Sequence, residues 1–199
     1  MTQQIDSAGG KSFSGDGEKT QWLMRYESWL KVLAGLEIDS RFRGKFSASD
    51  AVQQTLLEAW KDWDRFKGND EPQRLAWLRA ILAHQLAHLA RHYAGTQKRD
   101  VTREASLQHS LAESSHRLSN MLPAPVSSPS AQLEAKEQQL HLADVLDKLP
   151  DDYREIIILR NLQQLSHKEI AERLGRSEGA IRMLWVRALT KLREEIDKG

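Results

Sequence analysis

The chain has 199 residues, with 29 Lys+Arg against 28 Asp+Glu, a net charge of +1 and no cysteine. Cysteine-based chemistry is therefore excluded: no disulfide scaffold, no Cys-ligated zinc or iron–sulfur site and no thiol nucleophile. No run approaches the roughly 18–20 apolar residues of a membrane span, and Met1–Thr20 has no apolar leader core. The expectation is a soluble cytoplasmic protein in which any nucleic-acid surface is local.

Residues 1–20 are rich in Gly, Ser and charge and read as a flexible tail. Helical spacing begins at Trp22, continues through Tyr26, Trp29, Leu30 and Leu33, and is interrupted by Gly35 and the polar stretch Asp39–Lys45. Ser47, three before Asp50, starts a second helix in the manner of a capping box. Val52, Leu56, Ala59 and Trp63 are its buried stripe, and Gln53, Gln54, Glu58 and Lys61 its polar face. Lys67-Gly68-Asn69-Asp70 closes it. Asp70 caps a third helix that tolerates Pro72 in its first turn, has a core stripe of Leu75, Leu78, Ile81, Leu82, Leu86 and Leu89, and ends near Tyr93-Ala94-Gly95. From 100 to 132 the pattern weakens, and Pro123, Pro125 and Pro129 among serines mark a linker. Periodicity returns near Leu133, Pro150 marks a break, and dense helical pattern runs to the C-terminus. The reading is all-α: a module over 21–99, a flexible linker over 100–132 and a second module over 133–199.

The second module carries the most specific pattern, a helix-turn-helix. Ser166 and Glu169 form a capping box, Ile170 and Leu174 face inward, and Ala171 is small where a second helix must cross. Gly175 sits where the turn needs a positive φ. Ser177 caps the next helix, which buries Ile181, Leu184, Trp185, Ala188 and Leu192. Arg176, Ser177, Glu178, Gly179, Arg182, Met183 and Arg187 are left at the tip and outer face, where this motif enters the major groove. From Arg176 to Arg193 there are five basic residues and one acidic one, a local +4 in a nearly neutral chain.

Other patterns point less far. His84, His88 and His92 recur on one helical face, but Gln85 stands where a zincin helix needs a glutamate base, and no carboxylate or Cys completes a zinc site. The six tryptophans mostly fall on or beside core stripes, with Trp60 and Trp77 also placed to face a partner. The acidic pairs Asp151-Asp152 and Glu194-Glu195 have no converging base. No phosphate-binding glycine loop and no nucleophile elbow is present, so neither a catalytic residue nor a cofactor is expected.

The segment from Leu149 to Arg160 (LPDDYREIIILR), followed by Leu165-Ser166-His167-Lys168-Glu169-Ile170-Ala171, resembles region 4 of bacterial RNA polymerase sigma factors. Asp50 to Trp60 (DAVQQTLLEAW) resembles region 2.2. Asp64-Arg65-Phe66, Ala76-Trp77-Leu78 and the helix to Tyr93 resemble regions 2.3 and 2.4. Two such modules with no region 3 between them are the layout of extracytoplasmic-function (ECF) sigma factors of the sigma-70 family. The resemblance covers roughly Trp22–Arg99 and Leu140–Glu195.

The resemblance implies a factor that binds core RNA polymerase, directs it to specific promoters and assists strand opening without ATP. Asp50, Gln53, Gln54 and Glu58 would meet the clamp helices of the β′ subunit. His84, Gln85, His88, Arg91 and His92, with Tyr93, Lys98 and Arg99 after them, would hold the −10 element. Family members often carry Asn near position 85 and Asp near position 88, so Gln85 and His88 change the hydrogen-bonding groups offered there. The helix-turn-helix residues named above would read the −35 element, the β flap would be a second polymerase contact, and an anti-sigma protein is a further candidate partner. The alternative is a helix-turn-helix regulator with an all-α sensing or dimerising N-terminal domain, which would bind duplex DNA by itself.

Overall fold

A computed structural model describes residues 15–38, 45–68, 70–94, 101–121 and 129–198. The tail over 1–14, the polar stretch over 39–44 and, among residues singled out above, Asn69, Gly95, Lys98, Arg99, Pro123 and Pro125 lie outside these. The described residues form helices and no strand, as the periodicities predict.

The first periodic segment is two helices, α1 (Asp16–Arg25) and α2 (Glu27–Glu37). Helix α1 starts inside the stretch read as tail. The break falls at Tyr26, whose φ of −100° and ψ of 3° leave the helical region. Its ring is fully buried between Trp22, at a centroid distance of 4.6 Å, and Trp29, at 6.1 Å. Packing of this one aromatic sets the break, which periodicity does not reveal.

Helix α3 (Ala48–Asp62) begins at the predicted capping box. The Asp50 amide donates to Ser47 Oγ at 3.1 Å, and the Ser47 amide donates to the Asp50 carboxylate at 2.8 Å. Ala51, Val52, Thr55 and Ala59 are buried, while Leu56 and Trp63 are partly so. A 3₁₀ turn over Trp63–Arg65 leads towards α4 (Glu71–Ala94), where the Gln73 amide donates to the Asp70 carboxylate at 2.8 Å. Leu78, Ile81, Leu82 and Leu86 are buried on α4 as predicted.

The stretch read as linker contains α5 (Val101–Ser119), with Leu111 and Leu118 fully buried in the common core. Its apolar face is narrow and includes buried Glu104 and Ser114, so hydropathy understates how tightly it packs. Helix α6 (Pro129–Lys148) follows, then α7 (Asp151–Ile157) and a π turn over Ile158–Leu162. Helices α8 (His167–Leu174) and α9 (Glu178–Ile196) complete the chain.

Helices α1–α5 and α6–α9 pack directly on each other in one continuous core that takes side chains from both groups. Polar contacts cross the boundary. Lys31 Nζ lies 3.1 Å from Asp147, which also accepts from Arg154 at 3.0 Å. Arg25 pairs with Glu137, and Lys136 with Glu71. Gln163, next to the π turn, donates from Nε2 to the Leu36 carbonyl and accepts from Arg173, both at 3.0 Å. Burial lowers the Lys31 pKa, but hydrogen bonds to Glu27 and Asp147 outweigh it, so the ammonium titrates above its ordinary 10.5. A cleft of about 330 Å³ lies at this boundary between Lys31, Asp147, Arg154 and Gln163. Its lysine and arginine side chains are engaged by Asp147 and Gln163, so it presents no open cationic pocket.

Candidate nucleic-acid and polymerase interfaces

The helix-turn-helix is built as its sequence requires. Ser166 Oγ accepts from the Glu169 amide at 3.2 Å, and the Glu169 carboxylate accepts from the Ser166 amide at 2.7 Å. Donation from the Ser166 hydroxyl, at 2.7 Å, and from the Ser166 amide holds the Glu169 carboxyl below its ordinary pKa. Gly175 ends α8 at φ 64° and ψ 33°, a left-handed conformation that costs little only without a Cβ. Ser177 Oγ then accepts from the Ala180 amide at 3.2 Å and starts α9. Ile170, Ala171, Ile181, Ala188 and Leu192 are buried, whereas Leu174, Leu184 and Trp185 are only partly so.

This frame leaves every predicted tip residue in water. Arg176, Ser177, Glu178, Gly179, Arg182, Met183 and Arg187 are all exposed. Arg176 pairs with Asp152 at 2.8 Å and Arg182 with Glu178 at 2.7 Å. Both are surface pairs of small net worth, so a phosphate or a base edge can displace the carboxylate at low cost. Lys191 is held by Glu195, which accepts from both Lys191 and Lys198 and titrates at about 2 in consequence. Trp185 is anchored by donation from Nε1 to Asn161 Oδ1 at 3.2 Å, and its ring meets His167 edge-on at 5.5 Å. Asn161 belongs to the π turn, and nothing in the sequence singles it out.

The residues assigned to the −10 element divide into three sets on α4. His88 and His92 are exposed. His84 and Arg91 face α5: Arg91 donates to Glu104 Oε1 at 3.2 Å, and His84 Nδ1 lies 3.7 Å from Glu104 Oε2. Gln85 turns the other way and donates from Nε2 to Glu58 on α3. No cluster of three metal-ligating side chains occurs among the described residues.

On α3, Asp50, Gln53 and Gln54 are exposed, and Glu58 is half-buried against Gln85. Hydrogen bonds from Ser47 hold the Asp50 carboxyl below its ordinary pKa, so it stays ionised at neutral pH. Two large apolar side chains share this exposed side, Leu57 at 48% and Trp60 at 38% of full exposure. Leu57 is missing from the predicted docking set. Its signal is legible at i+4 from Gln53, an apolar residue off the core stripe. Trp60 carries Lys19 Nζ 4.6 Å from its ring centroid. Trp77, the other tryptophan placed to face a partner, stacks on Phe66 at 4.8 Å.

Residues 139–192, from α6 to α9, match the family model "Sigma-70, region 4". The RNA polymerase sigma factor NccH of Alcaligenes xylosoxydans is 30% identical over 143 residues, covering 72% of this chain and 69% of that protein. The chain belongs to the RNA polymerase sigma factors. The ECF RNA polymerase sigma factor SigD of Mycobacterium tuberculosis is also 30% identical, over 77% of this chain. The alignment spans 65% of the length of SigD. The ECF RNA polymerase sigma-E factor of Haemophilus influenzae is 25% identical over 90% of this chain and 89% of that one. Among solved structures, the Bartonella quintana sigma factor RpoE, crystallised with the anti-sigma factor NepR, is 23% identical with a TM-score of 0.32. It covers 89% of this chain and 95% of that one. The names of SigD and of the sigma-E factor agree with the ECF type read from the motifs. The region 4 match encloses every helix-turn-helix candidate of this sigma factor and begins only after α3 and α4, which it does not cover.

Proposed function

We propose that this protein binds core RNA polymerase, directs it to specific promoters and assists DNA opening for transcription initiation. Family membership sets the class of activity. The observation that carries the reading to this chain is the helix-turn-helix with its full set of exposed tip residues, Arg176 to Arg187, inside the matched region 4 segment. In this reading those residues take the −35 element, with arginines on phosphates and on the hydrogen-bonding edges of bases. Helix α4 takes the melted −10 strand through His84, Gln85, His88, Arg91 and His92. Helix α3 docks the polymerase clamp through Asp50, Gln53, Gln54 and Glu58, with Leu57 and Trp60 supplying the apolar part of that surface. Strand opening draws on the binding energy of the unpaired strand.

The division into 21–99 and 133–199 as polymerase/−10 and −35 modules belongs to the same proposal, as do contact with the β flap, an anti-sigma partner and action in the cytoplasm. No described helix is long and apolar enough to cross a membrane. Sigma factors are not enzymes, and this one is read as acting through binding alone. In vitro transcription with core polymerase on genomic fragments tests the proposal. Transcripts with defined starts that need both components are expected. Tight duplex binding without polymerase association would instead favour a plain regulator.

A further inference from the structure

We propose that α5 is a built-in competitor for the −10 strand. In this arrangement Glu104 occupies Arg91, with His84 beside it, and α5 must leave α4 before the Arg91 guanidinium can hold nucleic acid. The inference rests on the reading of α4 as the −10 helix and concerns what controls access to it.

Glu104 is only 9% exposed and sits between Arg91 at 3.2 Å and His84 at 3.7 Å. The Arg91 side chain is itself 14% exposed. A carboxylate and a phosphate are the same kind of ligand to a guanidinium, both anionic and both offering paired oxygen acceptors. Arg91 therefore serves one or the other, and in this conformation the oxyanion is supplied by the chain itself. His88 and His92 stay exposed on the same helix, so the cover is partial and falls on the members nearest α5.

Helix α5 is also tied to other parts of the fold. Ser110 Oγ donates to Glu37 on α2 at 2.6 Å, and Arg117 donates to the Leu162 carbonyl in the π turn at 2.9 Å. Gln139 on α6 donates to the Ser115 carbonyl at 3.3 Å. Leu111 and Leu118 are buried where the two modules meet. Pulling the second module away removes the Leu162 and Gln139 contacts and part of the apolar seat. Separation of α6–α9 from the rest of the fold thereby loosens α5 and frees Arg91. The competing explanation is an ion pair that only stabilises the fold, and the two differ in what DNA does to α5.

The test uses the full chain without polymerase and a fluorescein-labelled single-stranded 20-mer of mixed sequence at low salt. Glu104→Ala should bind it about tenfold more tightly than the wild type, the scale of one hydrogen bond to a charged group. Glu104→Gln should give a smaller gain, and adding Arg91→Ala should remove the gain. Hydrogen exchange of the wild type should show α5 amides losing protection when the oligonucleotide binds. Circular dichroism checks folding, and Glu104→Gln carries the test if Glu104→Ala unfolds. Unchanged affinity in a folded Glu104 variant, or undiminished α5 protection in the DNA complex, overturns the inference. Polymerase-dependent transcription by the wild type is scored separately, so failure of the promoter reading remains distinguishable from failure of the competition.

Discussion

Replacing Gly175 by alanine isolates one physical term in the helix-turn-helix. The residue sits at φ 64° and ψ 33°. A Cβ built there would meet nothing within 4 Å, so steric overlap with neighbours contributes nothing. The hydrogen bonds from the Gly175 and Arg176 amides to the Ala171 carbonyl need no side chain and survive. What remains is the cost of a left-handed conformation for an L-residue, about 1–2 kcal/mol. The lower entropy of the unfolded alanine chain offsets about 0.4–1 kcal/mol of it. The net loss is about 1 kcal/mol, equivalent for a chain of this size to a fall in Tm of about 2–4 °C. Asparagine tolerates this conformation better, so Gly175→Asn should lose less than Gly175→Ala. Urea unfolding followed by circular dichroism measures both. An alanine variant as stable as the wild type would refute the positive φ. A loss above about 3 kcal/mol would require a steric contact that the turn does not contain.

Three further variants probe separate sites. Arg182→Ala should weaken promoter selection at the −35 element and leave affinity for core polymerase intact, since Arg182 is exposed and its ion pair is with Glu178 on the same helix; an equal fall in polymerase affinity would misplace that surface. Changing Gln53 and Gln54 together to alanine should weaken polymerase binding in a pull-down titration, and unchanged affinity would remove the proposed docking face. Glu37 provides a test in pH: burial raises its carboxyl above the ordinary 4.5, partly opposed by the hydrogen bond from Ser110. The folded state therefore prefers the protonated acid, and Glu37→Gln should be more stable than the wild type at neutral pH. Its advantage should shrink as pH falls through the raised folded pKa and vanish below 4.5; an advantage that grows on acidification would contradict the sign.

The helix-turn-helix was readable in the sequence because its determinants are local. Ser166 with Glu169, Gly175 and Ser177 each act within a few residues of their own position, and the buried residues fall at helical spacing. The start of α3 was readable for the same reason. Two features were not. The break at Tyr26 depends on how one ring packs between Trp22 and Trp29. The packed state of α5 depends on a narrow face of Leu111 and Leu118 that finds partners on several helices at once. The pairing of Arg91 with Glu104 follows from that packing, so inspection of α4 alone identifies the guanidinium without its tertiary partner. Leu57 was legible as an apolar residue on a polar face, yet its value as a docking contact becomes evident only once its 48% exposure is known.

The central claim is that the two modules act together through one polymerase. Run-off transcription from a promoter recovered with this factor, using core enzyme with wild-type protein, Arg182→Ala or the Gln53/Gln54 double alanine variant, tests it most directly. A defined transcript is expected with the wild type, weaker promoter selection with the first variant and weaker polymerase recruitment with the second. Equal initiation by core enzyme with and without the protein would contradict it.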